Sequence, residues 1–273
     1  MTLSFKIPTT WNEMSERQRA DISSTISKAK PGDKGVYFKI IYQLFCPAKT
    51  FSITGLRERY RFVRLLNEVP LRVLYPLAEF VFEKLDLTRF PKSVKIDGVT
   101  YYGPADRLSN ISIEELNFTY RFYFDWIVKK DKIALDRLVT TLYRPAKKKR
   151  KGDIREDFDM EIIQTRGSIL PRMPEEIKTA IGFAYKGSVE YMFSRYPIIF
   201  PPQKKQKEKS EDPAKPIKYS SFIPMINAMF MGENQPFGSR KDTVKTNAYI
   251  FFDVAQETIK ANREREKNAQ KRK

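Results

Sequence analysis

Residues 112–130 read SIEELNFTYRFYFDWIVKK, and the way this stretch folds decides the class of the whole protein. Ser112 followed three residues later by Glu115 is a capping box, in which a hydroxyl and a carboxylate satisfy backbone amides left free at a helix start. Leu116, Tyr120, Tyr123, Phe124 and Ile127 then follow at helical spacing. A rival phase exists, since Phe118, Tyr120, Phe122, Phe124 and Trp126 alternate as a strand's residues would. The cap and Leu116 fit only the helical phase, which favours a helix here and a mainly α fold. Aromatic residues so spaced are ordinary core material; stacking of unpaired bases beside Arg121 is the functional alternative.

Outward from this stretch the same signals recur. Lys132 to Tyr143 continues as a helix with Leu135, Leu138, Val139 and Leu142 inward. Towards the N-terminus, Asp97-Gly98 between Val94, Ile96 and Val99, Tyr101 predicts a tight β-hairpin, the one strand pair expected apart from an extended arm or short strand at Leu3 to Pro8. Ser15 with Gln18 is a second capping box, opening a helix towards Lys28. Val36 to Phe45 is a buried helix stopped by Pro47, and Leu77 to Leu85 a helix with Phe80, Val81 and Leu85 inward. Between them, Leu56 to Leu66 places Tyr60, Val63 and Leu66 on one side and Arg57, Arg61 and Arg64 on another, an amphipathic helix with a basic face. Trp11 is a packing anchor for the arm.

Beyond Pro145, the run Lys147, Lys148, Lys149, Arg150, Lys151 is an exposed loop, and Met160 to Gln164 a short helix. Pro174 to Tyr196 is a long helix, with Ile177, Ile181, Ala184, Val189, Met192, Phe193 and Tyr196 as its buried stripe. Gly182 and Gly187 weaken it intrinsically, which predicts close packing against a neighbour. Residues 202–218 have a solvated linker's composition and divide a helical core domain, 1–201, from a C-terminal helical hairpin with a basic tail, 219–273. In that hairpin Phe222 to Met231 is a short apolar helix and Gly232 to Gly238 a turn. Val244, Ala248, Phe251, Phe252, Ala255 and Ile259 form an amphipathic stripe, read as the face that binds a partner.

Composition bounds the function. The 273 residues carry 51 Lys and Arg against 33 Asp and Glu, a formal net charge of +18, while Phe 20 and Tyr 14 supply a real core. Such a balance favours polyanions or acidic partners. The candidate contacts are Lys147 to Lys151 and the terminal Arg263, Arg265, Lys267, Lys271, Arg272 and Lys273. The chain contains no histidine and one cysteine, so imidazole catalysis, Cys/His zinc sites and an internal disulfide are excluded by count. With no histidine to activate it, Cys46 reads as a buried small hydrophobe. Neither a phosphate-binding Gly-Lys-Ser/Thr loop nor a dinucleotide fingerprint is present. Asp153, Glu156, Asp157 and Glu161 would share one helix face and could hold Mg²⁺, but acids there also complement a helix N-terminus and the preceding lysines. The chain therefore reads as non-enzymatic, with no cofactor and no metal. Lacking a long apolar run or a signal-like start, it is expected to avoid membranes and stay in the cytoplasm of the producing cell.

The strings Ile7-Pro8-Thr9-Thr10-Trp11-Asn12-Glu13-Met14-Ser15, Tyr102-Gly103-Pro104-Ala105-Asp106-Arg107-Leu108-Ser109-Asn110, and Leu142-Tyr143-Arg144-Pro145 leading to Gly152-Asp153-Ile154-Arg155-Glu156 resemble those of a family of structural-module, tail-region proteins of tailed phages and prophages. With Arg195-Tyr196-Pro197 and the terminal helix at Asn247 to Ile259, they span most of the chain. The resemblance implies a tail assembly chaperone or small virion component, with other phage structural or assembly proteins as partners, self-association left open, and a place in the host cytoplasm or the virion. It brings no catalytic residues. The Lys-rich insert at Gln203 to Lys218 and the basic end depart from the family and point to the alternative, a DNA-facing virion or packaging protein that binds nucleic acid.

Overall fold

Side-chain caps start the helices where the sequence places them. In the computed structural model, which describes residues 4–30, 32–33, 35–48, 52–147, 152–161, 163, 172–202, 219–231 and 235–271, the Ser15 hydroxyl accepts from Gln18 N at 3.2 Å while Gln18 Oε1 accepts from Ser15 N at 3.0 Å. That box opens α1 (Glu16–Lys28), and α2 (Gly35–Phe45), α3 (Ile53–Glu68), α4 (Leu71–Leu74) and α5 (Pro76–Glu83) follow. The Asp97-Gly98 hairpin forms as expected. Asp97 at φ 49° and Gly98 at φ 83° both take the left-handed conformation that a two-residue hairpin turn requires, joining β1 (Ser93–Ile96) to β2 (Val99–Tyr102). A third strand that the sequence did not announce, β3 (Arg144–Pro145), adds to β2. Residues 4–8 form an arm without strand pairing, Phe5 lying edge-on to Phe45 at 5.0 Å.

Residues 113–129 are helical (α6, Ile113–Lys129), which resolves the rival phases, and α7 (Lys132–Leu142), α8 (Glu175–Ser194), α9 (Ile223–Met231), α10 (Arg240–Lys245) and α11 (Ala248–Lys271) complete a mainly α fold. The chain divides into two compact units, residues 1–91 with 171–188 and residues 92–170 with 189–273. This corrects the expected boundary at 202–218. The linker's residues 203–218 lie outside the described residues, as do 148–151, 162, 164, 232–234, 272 and 273.

In the first unit, Asn12 ties the arm to an irregular segment at 86–88. Its Nδ2 donates to Asp86 O at 2.7 Å and its Oδ1 accepts from Thr88 N at 3.0 Å. The same segment lies against α8. A Cβ built on Gly187 would stand 2.2 Å from the Leu87 carbonyl oxygen, so only glycine fits there, the close packing the sequence predicted. Trp11, Ile22, Ile40, Ile41, Ala78, Leu87, Ile181 and Tyr185 form the core.

The second unit is organised around a buried carboxylate. Ser112 caps α6 by accepting from Glu115 N at 3.1 Å, but Glu115 does not return the bond as a capping box would. Instead its carboxylate takes Arg144 as a fork, Nη1 to Oε1 at 3.0 Å and Nη2 to Oε2 at 3.2 Å, and Arg155 Nη1 to Oε1 at 2.9 Å. All three side chains are almost wholly buried. Two cations outbid an exposed amide for one anion. Asp153 supplies the second negative charge, its Oδ2 2.8 Å from Arg155 Nη2.

The C-terminal segment is part of this unit. Ile113 N donates to Thr246 O and Ala248 N to Ile111 O, both at 2.9 Å, and Asn117 Oδ1 accepts from Phe222 N at 3.0 Å. An aromatic cluster closes over these bonds, with Phe193 and Phe200 stacked at 4.0 Å, Phe200 and Phe252 edge-on at 5.3 Å, and Tyr120 5.5 Å from Phe222.

Two substitutions test the two units separately, because the chain's two tryptophans fall one in each. Gly187→Ala should lower the urea midpoint followed by Trp11 fluorescence in a Trp126→Phe background, corresponding to a loss of about 3 kcal/mol of unfolding free energy for backbone overpacking. Glu115→Gln, followed by Trp126 in a Trp11→Phe background, should cost about 3–5 kcal/mol, since it leaves the buried Arg144 without a carboxylate and Arg155 with Asp153 alone. An unmoved midpoint in either case removes the corresponding assignment.

Candidate interaction surfaces

The stripe read as a partner-binding face turns out to be core. Ala248, Phe251, Phe252 and Ala255 are fully buried, Phe251 stacking on Phe237 at 5.6 Å and Phe252 packing at a tilt on Tyr196 at 5.3 Å. Val244 and Ile259 are half-buried at its ends. The helix is amphipathic because it faces the rest of its own unit, so these residues are not available to another protein.

Beyond that stripe α11 changes character. From Lys260 to Lys271 every residue is exposed, so the helix runs about 16 Å with no apolar face turned inward. Lys260, Arg263, Lys267 and Lys271 fall at three- and four-residue steps and share one side, while Arg265 lies on another. Of the basic loop only Lys147 is described; it is half-buried and 3.8 Å from Asp157. Lys148, Lys149, Arg150, Lys151, Arg272 and Lys273 lie outside the described residues.

The acidic cluster does not form the helix face its spacing allowed. Residues 153–159 are not helical; Asp153 turns in to Arg155 and Asp157 out to solvent. Among the described residues no group of three His, Cys, Asp or Glu side chains is placed to hold a metal ion. Among them, too, no helix is long and apolar enough to cross a membrane.

Cys46 is buried as expected, and burial pushes its thiol up to about 11, with Glu58 adding to the shift and Arg59 opposing it.

The apolar side read on α3 is turned to solvent: Tyr60 and Val63 are exposed by 70% and 58%, and Ile53 and Leu56 continue the ridge at 88% and 57%. The face turned to the core carries Gly55 and Phe62 instead. The available signal was a second apolar side on the same helix: Phe62 lies opposite Tyr60 on the helical wheel, and the two cannot both face inward. In the same unit Tyr37, Tyr75 and Phe82 line an open apolar groove, Tyr37 packing on Phe82 at 4.5 Å and on Tyr75 at 5.6 Å. The first unit thus presents far more apolar side chain to solvent than the scattered single residues of an ordinary surface.

No protein-family model, curated protein or solved structure matches the chain.

The raised thiol pKa has a direct readout. At about pH 8 Cys46 should be alkylated far more slowly in the folded chain than in urea, and the native rate should climb only as pH approaches 11, because the protonated form is inert. Equal folded and unfolded rates at that pH would show the thiol to be accessible and ionised.

Proposed function

We propose that the chain is a non-catalytic assembly protein, of the phage structural and tail-assembly kind its sequence resembles, and that it works through protein–protein contacts. One observation carries this reading: α3 is pinned to its unit by Phe62 yet holds Ile53, Leu56, Tyr60 and Val63 out in water. An ordered apolar ridge of this kind marks an interaction site on a folded protein. The aromatic groove at Tyr37, Tyr75 and Phe82 extends the apolar surface of the same unit. Its working place is the host cytoplasm, with the virion as destination if the partner is a virion protein.

A second reading rests on a different observation. The basic side of α11, Lys260 through Lys271, is free of apolar neighbours and suits contact with a phosphate backbone. Four phosphate contacts there would give a log affinity falling with log salt at a slope of about −3.6.

The two readings separate on one purification. Tagged full-length protein isolated from its producing cell should bring down a second protein in stoichiometric amount, retained at about 0.5 M salt, where exposed charge contacts are screened. Recovery of the chain alone, or only with nucleic acid that salt strips away, overturns the assembly reading.

A further inference from the structure

We infer that the outward face of α3 is a docking seam for an acidic amphipathic helix of another protein. This rests on the assembly reading and names the chemistry of the partner. Ile53, Leu56, Tyr60 and Val63 are separated by three, four and three residues, the alternation with which one helix meets another along a seam. The ridge is confined to about 80° of the helix, narrower than the apolar stripe a globular core or a lipid surface requires. The helix beneath it is ordered. Ser52 Oγ accepts from Gly55 N at 2.9 Å at one end, Val69 N donates to Leu65 O at 2.8 Å at the other, and on the opposite side Phe62 packs on Phe45 and Tyr42 at 5.4 and 5.8 Å.

Charge chooses the occupant. With Ile53 and Tyr60 in one set of seam positions and Leu56 and Val63 in the other, the flanking positions are held by Arg57 and Arg64 on one side and Arg59 on the other. Arg59 Nε donates to the Tyr42 hydroxyl at 2.6 Å, Arg64 pairs with Glu68 at 3.4 Å, and Arg57 stands exposed. A second copy set against this seam in parallel would bring Arg59 towards Arg64, and one set antiparallel would bring Arg57 towards Arg64. Both pairings oppose like charges, on a chain of net +18. A helix with Glu or Asp at its own flanking positions meets attraction at the same places. The basic stripe of α11 is excluded by the same argument.

The probe is a synthetic three-heptad peptide with Leu in its seam positions and Glu in the flanking ones, titrated by fluorescence anisotropy against the full chain, with a Lys-flanked twin as control. Micromolar binding of the Glu peptide, at least about tenfold tighter than the Lys peptide, is expected from attraction replacing repulsion at the flanks. Arg57→Glu with Arg64→Glu should invert that preference. Leu56→Asp with Tyr60→Asp should abolish binding while leaving the melting curve in place, since both side chains are exposed. Equal binding of the two peptides, or none, overturns the seam. So does concentration-dependent dimerisation lost in the Asp variant, which would name a second copy, or sedimentation with phosphatidylserine vesicles that the Asp variant loses while the peptide stays unbound. A native partner still recovered by the Asp variant sinks this seam and leaves the assembly reading intact; a wild-type chain recovered alone sinks that reading first.

Discussion

Glu115 sits inside the second unit with a guanidinium on each side, and most of that unit's geometry follows from the need to keep those charges together. A buried carboxylate costs several kcal/mol of lost hydration and is tolerated only with close, well-directed partners. Arg144 and Arg155 give it three hydrogen bonds, and both also donate to backbone carbonyls, Arg144 to Thr141 and Glu156 and Arg155 to Leu142, while Arg155 turns its Nε and Nη2 to the Asp153 carboxylate. Those carbonyls belong to the end of α7 and the segment after the basic loop. The network therefore fixes the start of α6, the end of α7, β3 and residues 153–156 in one stroke. For Arg155, burial alone would lower the pKa, but Glu115 and Asp153 outweigh it and hold the guanidinium above its ordinary value. Charge balance is complete, two arginines against Glu115 and Asp153.

The strings on which the family resemblance rests acquire a physical reason in this light. Leu142-Tyr143-Arg144-Pro145 and Gly152-Asp153-Ile154-Arg155-Glu156 are the network and its hydrogen-bonded backbone, Lys147 N bonding Ile154 O at 3.0 Å and Glu156 N bonding Pro145 O at 2.8 Å. The Gly103 to Asn110 string makes a turn in which Arg107 and Leu108 take φ of 59° and 58°, a conformation L-residues adopt at a cost. Bonds from distant residues hold it there: Tyr249 Oη to Arg107 O at 2.7 Å, and Asn247 Nδ2 to Ser109 O at 2.8 Å. In the first unit Asn12, Trp11 and Ser15 do comparable work for the opening string. All three strings thus have a structural part in the fold.

What could be read in the sequence was whatever is settled within a few residues. The Ser15 box, the Asp97-Gly98 turn, the helices at 113–129 and 132–142, and the steric demand at Gly187 each depend on neighbours in the chain or on the absence of a side chain, and each was legible. What failed depends on partners far away. Glu115 looked like a capping residue because Arg144 and Arg155 lie 29 and 40 positions downstream, and no local pattern announces them. Asp153, weighed as one of four possible Mg²⁺ ligands, instead pairs with Arg155 two residues on, because residues 153–159 are not the helix that the spacing assumed. The linker-like composition at 202–218 suggested a separate C-terminal domain, yet bonds between 111–113 and 246–248 bind that segment into the second unit. Composition predicts solvation of a segment, not the partner of the helices that follow it.

The exchange of roles between α3 and α11 is the same point in its sharpest form. Periodicity shows that a helix has an apolar side and is silent on who covers it. On α11 the stripe is covered by the chain itself, and beyond Ile259 every described residue of the helix is exposed. On α3 there are two apolar sides and one core, and the side that carries Phe62 faces it, the ring meeting Phe38, Tyr42 and Phe45. The losing side cannot be made polar without losing whatever it is for, and Ile53 at 88% exposure has no role inside the molecule. Stability alone would favour Lys or Glu at such positions. On the seam proposed above, four apolar residues in seam register on the solvent side, with arginines along both margins, would gain a cover from another chain that their own unit does not give them.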